Sequence, residues 1–394
     1  MARKVLILVE NLPSPFDRRV WQEAKSLYGA GYTVSIICPT GKGYEEFYEE
    51  IDGIHIYRYN LPVEGEGAKG YAVEYSAALW HTFRLAWKVR REQGFDVIHA
   101  CNPPDLLFMV ALVFKLLYKT KFIFDHHDIN PELYEAKFNK RDFFWKLMVW
   151  LEKATFMSAD VSIATNESYK EIAIQRGGME PEKVHVVRSG PMLERLRTIP
   201  AVDSLKKGRK YLVGYVGVMG KQEGLDLLLE AVRYIVHDLK RDDVHFGLVG
   251  GGTSLEEMRR LAEELNVSDY VTFTGRVPDQ ELLEMLNTAD ICVNPDRANA
   301  MNDKSTMNKI MEYMALGKPI VQFDLTEGRF SAQGASLYAA KNDPKDMGDK
   351  ILQLLDDPEM REKMGRLGYD RVRNELEWKY EEPKLLKAYS DVFE

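Results

Sequence analysis

The chain predicts an α/β protein of two doubly wound domains facing a central cleft, each a parallel sheet with helices on both faces. Three observations lead there. Short apolar runs recur along the 394 residues at intervals that a helix would fill. The runs are nearly continuous in Val, Ile, Leu and Phe, as in strands buried on both faces, rather than alternating. The series also starts twice, at Val5–Val9 and at Tyr211–Val216, and the chain is long enough for two full cores.

In the first half the later runs are Val34–Cys38, Val97–Ala100, Phe122–Phe124 and Val161–Ala164. In the second they are Phe246–Val249, Val271–Thr274, Ile291–Val293 and Ile320–Phe323. Polar loops and helix-period segments lie between them. Periodicity fades between Ser189-Gly-Pro191 and Lys207-Gly208. The domains are therefore placed at 1–192 and 205–372, with a final segment at 373–394. Ligands of such sheets bind beyond the C-terminal strand ends. Facing domains put both sets of ends on one cleft, and the motifs below fall at those ends.

Composition narrows the function. The 45% hydrophobic and 29% charged content is that of an ordinary globular protein. A net charge of −8 argues against general nucleic-acid binding. The charge is uneven: up to Met192 there are 24 basic and 25 acidic residues, so the remainder carries nearly all of the excess. Cys38, Cys101 and Cys292 form no CxxC or zinc spacing and read as cytosolic thiols. The longest apolar run, Leu106–Leu117, is interrupted by Lys115 and is too short to span a bilayer. The N-terminus is too short for a signal peptide. A soluble or peripheral cytoplasmic protein is expected.

The most informative stretch is Asn302–Val321. It reads as a polar loop, then a helix over Lys309–Leu316 with Asn308 as N-cap, stopped by Gly317 and Pro319 before a buried strand. Glu312 falls near the first turn, with Asp303, Ser305 and Thr306 just upstream. A helix N-terminus attracts phosphate, and a carboxylate accepts hydrogen bonds from both hydroxyls of a ribose. The segment suits a nucleotide.

Other strand ends supply further candidates. Gly217-Val-Met-Gly220-Lys221 follows the first strand of the second half. Its glycines let backbone approach a phosphate that Lys221 neutralises, or they form only a tight turn. Val249-Gly-Gly251-Gly-Thr-Ser-Leu-Glu-Glu257 is a second such junction, where Ser254 and Glu257 make a capping box. Arg276-Val277 ends another strand; the arginine meets a phosphate or is a solvated side chain. In the first half, Asp125-His126-His127-Asp128 follows a strand, and His99 ends its neighbour. A metal site there is disfavoured because adjacent strand residues point apart, so a single histidine serving a substrate is preferred over it and over a structural role. Asp17 reads as the N-cap of a helix whose first turn holds Arg18 and Arg19, an arrangement that suits an anion or an internal balance. The segment Phe138–Phe156 mixes Lys140, Arg141, Lys146 and Lys153 with Phe143, Phe144, Trp145 and Trp150. Burial of these aromatics in the domain core is the favoured reading, and contact with an anionic membrane the alternative.

Together these motifs resemble the family 4 glycosyltransferases, retaining enzymes of the GT-B fold, through nearly the whole chain. The resemblance is carried by Pro15-Phe-Asp-Arg-Arg-Val-Trp21, Asp96-Val-Ile-His99, Asp125-His-His-Asp with Pro131-Glu-Leu-Tyr134, and Val187-Arg-Ser-Gly190. It continues in Gly220-Lys-Gln-Glu-Gly-Leu-Asp226, Phe273-Thr-Gly-Arg-Val277 and, most specifically, Asn308-Lys-Ile-Met-Glu-Tyr-Met-Ala-Leu-Gly-Lys-Pro319. It implies that the second domain holds a nucleoside-diphosphate sugar and the first a glycan or lipid-linked acceptor. It also implies that no metal or other cofactor is required, and that the last helix crosses back to the first domain, anchored by Trp378 and Tyr380.

Carried over residue by residue, Glu312 matches the family's ribose-binding glutamate and His127 its histidine near the transferred sugar, with His126 the weaker match. The donor side would comprise Gly217, Gly220, Gly251, Arg276, Val277, Asp303, Ser305, Thr306, Asn308, Lys309 and Glu312. Arg18, His99 and His126 would lie on the acceptor side. Lys221 is the surviving cation of the phosphate loop, and Glu327 and Arg329 are secondary. Three positions depart from the family: Lys304 replaces the first glutamate of its E-x7-E motif, and Val218 and Glu223 replace an arginine and a lysine. The pattern resembles a variant subgroup that builds bacterial polysaccharides. A nucleotide-sugar 2-epimerase using Glu132 and Asp128, or a non-catalytic sugar-nucleotide binder, are the alternatives.

Overall fold

The computed structural model describes residues 3–61 and 67–394, with side chains from residue 73 in the second segment. The chain divides into two units, Met1–Ser189 with Glu381–Glu394, and Gly190–Tyr380.

The first unit contains β1 (Lys4–Leu8), α1 (Arg18–Gly29), β2 (Thr33–Pro39), β3 (Tyr48–Ile51), β4 (Ile54–Tyr59), α2 (Gly67–Glu92), β5 (Val97–Cys101), α3 (Phe108–Tyr118), β6 (Lys121–His126), α4 (Asn130–Phe138), α5 (Phe143–Ser158), β7 (Val161–Ala164), α6 (Glu167–Gln175) and β8 (Val184–Val186). The sheet order is β3-β4-β2-β1-β5-β6-β7-β8, parallel except for β3. Val5, Leu6, Ile7 and Leu8 of β1 are all buried, which explains the unbroken apolar run. Each such side chain contributes about 1.5–3 kcal/mol on leaving water.

The second unit contains β9 (Tyr211–Val216), α7 (Leu225–Arg233), β10 (Val244–Val249), α8 (Leu255–Glu264), β11 (Val271–Gly275), α9 (Asp279–Thr288), β12 (Ile291–Asn294), α10 (Ala300–Lys304), α11 (Asn308–Ala315), β13 (Ile320–Phe323), α12 (Thr326–Ala332), β14 (Ser336–Ala339), α13 (Pro344–Asp356) and α14 (Pro358–Arg371). Its sheet runs β11-β10-β9-β12-β13-β14, all parallel. Both sheets reverse direction beside their first strand, between β1 and β5 and between β9 and β12. Such a reversal opens a crevice at the C-terminal strand ends.

All ten strands expected from sequence are present. Among the described residues four others, β3, β4, β8 and β14, are additional. The β3–β4 hairpin turns at Asp52-Gly53, both at positive φ, which is the Asp-Gly signal of a tight hairpin.

Residues left between the domains by the sequence belong to the second unit. Leu193, Leu196, Ile199 and Leu205 pack on its core, and the Val202 N–H donates to Thr288 Oγ1 at 2.9 Å. At the other end, Val372 and Leu376 also pack there. The last helix, α15 (Trp378–Asp391), joins the first unit from Glu381 onward. Trp378 and Tyr380 stay with the second unit, so they are not its anchors in the first. Glu381 and Tyr389 are. Glu381 accepts from the Arg188 N–H at 2.9 Å, and the fully buried Tyr389 hydroxyl meets His99 Nδ1 at 2.8 Å.

Candidate functional site

In the second unit, the loops after β9 and β12 meet at the reversal of the sheet. Gly224 sits at φ 64°, and a Cβ there would lie 2.0 Å from Pro295 O, so only glycine lets these two loops close. Lys309, on the first turn of α11, bridges them. Its Nζ lies 2.8 Å from Glu223 Oε2 and 2.8 Å from Asp296 Oδ1. One ammonium cannot balance two carboxylates. Burial, reinforced by Glu223, pushes Asp296 up to about 7 in spite of Lys309. The Lys309 ammonium itself is held well above its usual range: burial opposes its charge, but Asp296 and the neighbouring groups outweigh that.

The N-cap residue of α11, Met307, makes no side-chain cap bond, and Asn308 is the first helical residue rather than the cap. The positive end of the helix dipole faces the loop. Gly317, at φ 67°, ends the helix as expected. Glu312 is half-buried and paired with Arg195, a residue of the segment that leads into the second sheet. Arg195 also lies 3.5 Å from Asp279.

The upstream loop holds the short helix α10, which the sequence treats as irregular. Asn299 caps it by accepting from Asn302 N–H at 2.8 Å. Asp303 accepts from the N–H and hydroxyl of Thr326 at 3.1 and 2.9 Å and from Lys341 at 3.2 Å. Although burial opposes its charge, these hydrogen bonds hold its carboxyl below the usual range. Ser305 donates to Met301 O at 2.9 Å, and Thr306 lies beside it, half-buried. Gly217 and Gly220 flank the exposed Val218, and Lys221 is exposed in a single 3-10 turn. Gly251 has open space where a Cβ would stand, its nearest neighbour being Arg276 N at 3.9 Å. Arg276 is exposed, whereas Val277 packs on the core. The capping box at Ser254 is not formed: the serine makes no side-chain cap bond. Glu327 is buried at the start of α12, and Arg329 is tied to Asp324 at 2.7 Å.

In the first unit the buried charge cluster is built around Arg19, not Arg18. Arg18 is exposed on α1, while Arg19 turns inward. The Arg19 guanidinium donates to Asp125 Oδ1 at 2.9 Å, Val187 O at 2.9 Å and Ser189 Oγ at 3.1 Å, and faces Glu23 at 3.1 Å. Burial opposes the charge on Asp125, but Arg19 and then His127 hold its carboxyl well below the ordinary range. Glu23, equally buried, goes the other way. Burial raises it despite Arg19, and the neighbouring Asp125 adds to the rise.

His127 Nε2 lies 2.5 Å from Asp125 Oδ2 and 3.0 Å from Arg19 Nε. A carboxylate only accepts, so Nε2 carries the proton and Arg19 is served by Asp125. In the neutral ring Nδ1 is then the nitrogen with a lone pair. His127 is the partly exposed histidine of the cluster. His99 and His126 are fully buried, which removes both from direct contact with an acceptor. His99 joins Asp125 to Tyr389. His126 faces Glu152 at 3.3 Å, and Arg176 ties Glu152 to Glu132 with bonds of 2.8 and 2.7 Å. Glu132 is thus spent on an internal ion pair, which weakens the epimerase reading. Among the described residues, two groups of side chains have ligand atoms close enough for a cation, His99–Cys101–Asp125 and Glu23–Asp125–His127. Both share Asp125, whose charge the Arg19 guanidinium already meets.

Sequence reasoning chose Arg18 over Arg19 for the site, and missed Glu23, Arg195, Glu223 as an acid partner, and Asp296. Arg19 and Asp125 were within quoted motifs, but burial is what distinguishes them from their neighbours.

Comparison with known proteins follows this division. The family described as "Glycosyltransferase Family 4" matches residues 17–195, and "Glycosyl transferases group 1" matches residues 210–357. The chain is 26% identical over 353 residues to an uncharacterized glycosyltransferase of Methanocaldococcus jannaschii, covering 88% of this chain and 87% of that one. It is 22% identical to mannosylfructose-phosphate synthase of Agrobacterium fabrum over 63% of this chain and 56% of that protein's length. Among solved structures, sucrose-phosphate synthase from Thermosynechococcus elongatus superposes with a TM-score of 0.81 at 18% identity, over 99% of both chains. Anabaena HepE in complex with UDP-glucose gives 0.73 at 14% identity, over 98% of this chain and 99% of that one. At these identities the structural likeness speaks for the fold.

Proposed function

The chain belongs to the family 4 glycosyltransferases, and from that premise we propose that it moves a sugar, with retention of configuration, from a nucleoside-diphosphate sugar to a glycan or lipid-linked acceptor. We place this reaction in the building of cell-surface polysaccharide, on the cytoplasmic face of a membrane. The observation that carries the donor assignment is the convergence at the β9/β12 reversal of glycine loops, the start of α11 and the carboxylate of Glu312. HepE, a structural neighbour, has been solved with UDP-glucose, which supports a sugar nucleotide as the donor class.

In this reading Glu312 receives the ribose hydroxyls, and Arg195 fixes the orientation of its carboxylate. The diphosphate lies against the first turn of α11 and the Gly217–Gly220 loop, with Lys309, Lys221 and Arg276 as its cations. Those groups meet the charge that develops as the C1–phosphate bond breaks, so no metal is required. The acceptor oxygen forms the new bond to C1 on the same face, and its proton passes to the leaving phosphate. His127, held through Nε2 by Asp125, presents Nδ1 to a sugar hydroxyl.

Melting temperature in the presence of UDP-, GDP- and ADP-sugars tests the donor assignment, because a ligand of the folded state alone raises it. One of these is expected to stabilise the protein. Glu312→Ala is expected to weaken that binding about tenfold or more, as befits lost hydrogen bonds to a charged group. An undiminished shift in Glu312→Ala would falsify the ribose assignment.

A further inference from the structure

The first sheet leaves one face unexplained. The connections β4–α2–β5, β5–α3–β6 and β6–α4–α5–β7 all advance in the same direction across the sheet. Right-handed crossovers therefore put α2, α3 and α5 on one side, and α3 packs against both of the others.

On α5 the inward residues are Glu152, Thr155 and Phe156. Phe143 is 71% exposed, Trp150 61% and Met157 73%, with Phe144 and Leu147 also exposed. Phe143, Leu147 and Trp150 are four and three residues apart and share one stripe of the helix. Helix α3 adds Met109, Leu117 and the 81% exposed Leu116, and α2 adds Trp80. Core burial, favoured from sequence for the α5 aromatics, holds for few of them. Isolated exposed apolar residues are ordinary, but a run of them over adjoining helices marks a surface that meets something.

Charge says what it meets. The outward ionised side chains of α5 are Lys146 and Lys153. Its one acid, Glu152, is buried against Arg176. Of the flanking acids, Glu135 is bound by Arg141, Asp142 by Tyr134 and Lys140, and Asp160 by Lys115. Lys137, Lys140 and Lys119 lie at the margins. This cationic, aromatic surface occurs on a chain whose net charge is −8. A second copy of the chain fits poorly, since a two-fold contact would set these lysines against their own counterparts.

We propose that the α2–α3–α5 face is a docking surface for a bilayer containing anionic phospholipid. Phe143, Trp150, Met157 and Leu116 enter the boundary between headgroups and acyl chains, and Lys146 and Lys153 meet the lipid phosphates. The proposal gives the peripheral contact of the preceding section a definite surface. It rests on that reading for its purpose, but the binding itself needs neither donor nor turnover.

Flotation of the full chain, without donor or acceptor, tests it on vesicles of phosphatidylcholine alone and with about a third phosphatidylglycerol. The protein is expected to float with the anionic vesicles, to be released by salt, and to remain behind with the neutral ones. Two pairs of surface changes, Phe143→Ser with Trp150→Ser and Lys146→Glu with Lys153→Glu, remove the two components. Each lysine contributes about 1 kcal/mol near such a surface, so the charge pair should weaken binding about 30-fold or more. Circular dichroism and the donor-induced melting shift are expected to be unchanged in both pairs. Absent flotation, equal flotation on both vesicle types, or undiminished flotation of the variants would overturn the proposal. So would a dimer in light scattering that the aromatic pair dissolves. A protein that floats as described yet moves no sugar would instead refute the enzymatic reading and leave this face standing.

Discussion

Arg19 and Asp125 show what a single buried charge does to the residues around it. Removing one partner of a buried pair leaves an uncompensated charge and costs about 3–5 kcal/mol. Arg19→Met is expected to lose about that much at neutral pH, read as a lower melting temperature. Asp125 has a depressed folded-state pKa, so its stabilising contribution is present above the unfolded value and lost as pH falls through the folded one. The gap between Arg19→Met and wild type should therefore narrow as the solution is acidified; a constant gap would refute the pairing. Asp296 behaves in the opposite sense. Its pKa is raised to about 7, so its contribution is full below the ordinary carboxylate range and shrinks as pH rises toward neutrality. Asp296→Asn keeps the Lys309–Glu223 pair and removes that loss. Its melting temperature relative to wild type should rise between about pH 4 and 7, a window given by the ordinary and shifted pKa values. The types of these residues were visible in the sequence, but the difference between Arg18 and Arg19, or between His126 and His127, was not. Neighbours on a helix or strand end point to different surroundings, and only packing decides which one is buried.

At the scale of elements, termination signals were more legible than initiation signals. Gly317 stops α11 because glycine takes positive φ without strain, a property of the residue itself. An N-cap depends on where the chain enters the helix. Asp17 caps α1, accepting from Val20 N–H at 3.1 Å, whereas Asn308 and Ser254 do not cap theirs. At α11 the preceding loop had already folded into α10, so the entry fell on Met307. Asp17→Ala should accordingly cost about 1 kcal/mol, as a lost cap does, in chemical denaturation with an unchanged slope. Asn308→Ala, which removes no cap bond, should leave stability nearly unaltered. A loss at Asn308 equal to that at Asp17 would contradict the geometry described for α11. Helix α5 shows the limit of amphipathic reasoning. Its aromatics are as apolar as core residues, and nothing local indicates that their stripe faces away from the sheet.

For the whole molecule, the alternation of strand and helix was enough to give two parallel sheets, because βαβ connection leaves few other arrangements. The edges were not legible. β3 is short, antiparallel and partly exposed, and β8 and β14 are brief, so none has the buried apolar run that identifies a central strand. Nor was the path of the chain's end, which depends on contacts far apart in sequence. The first unit is formed by Met1–Ser189 and Glu381–Glu394, and the second by the stretch of chain between them. Leu385, Ala388, Tyr389 and Val392 are buried in the first unit, and the Tyr389 hydroxyl supports His99. The terminal helix therefore stabilises the unit that carries His127, while the groups we propose for the donor all belong to the other. Leu385→Ala should destabilise the first unit by about 2–5 kcal/mol, the cost of a large-to-small change in a packed core. Tyr389→Phe should cost less, about 0.5–1.5 kcal/mol for one hydrogen bond, with His99 Nδ1 left without that partner. In both variants the sugar-nucleotide stabilisation of the second unit should persist, so a calorimetric trace should show the first unit melting earlier and only the later transition answering to the donor. If both transitions fell together, or if the donor response vanished with the terminal helix weakened, the two units would not be the independent folding bodies that their separate cores imply.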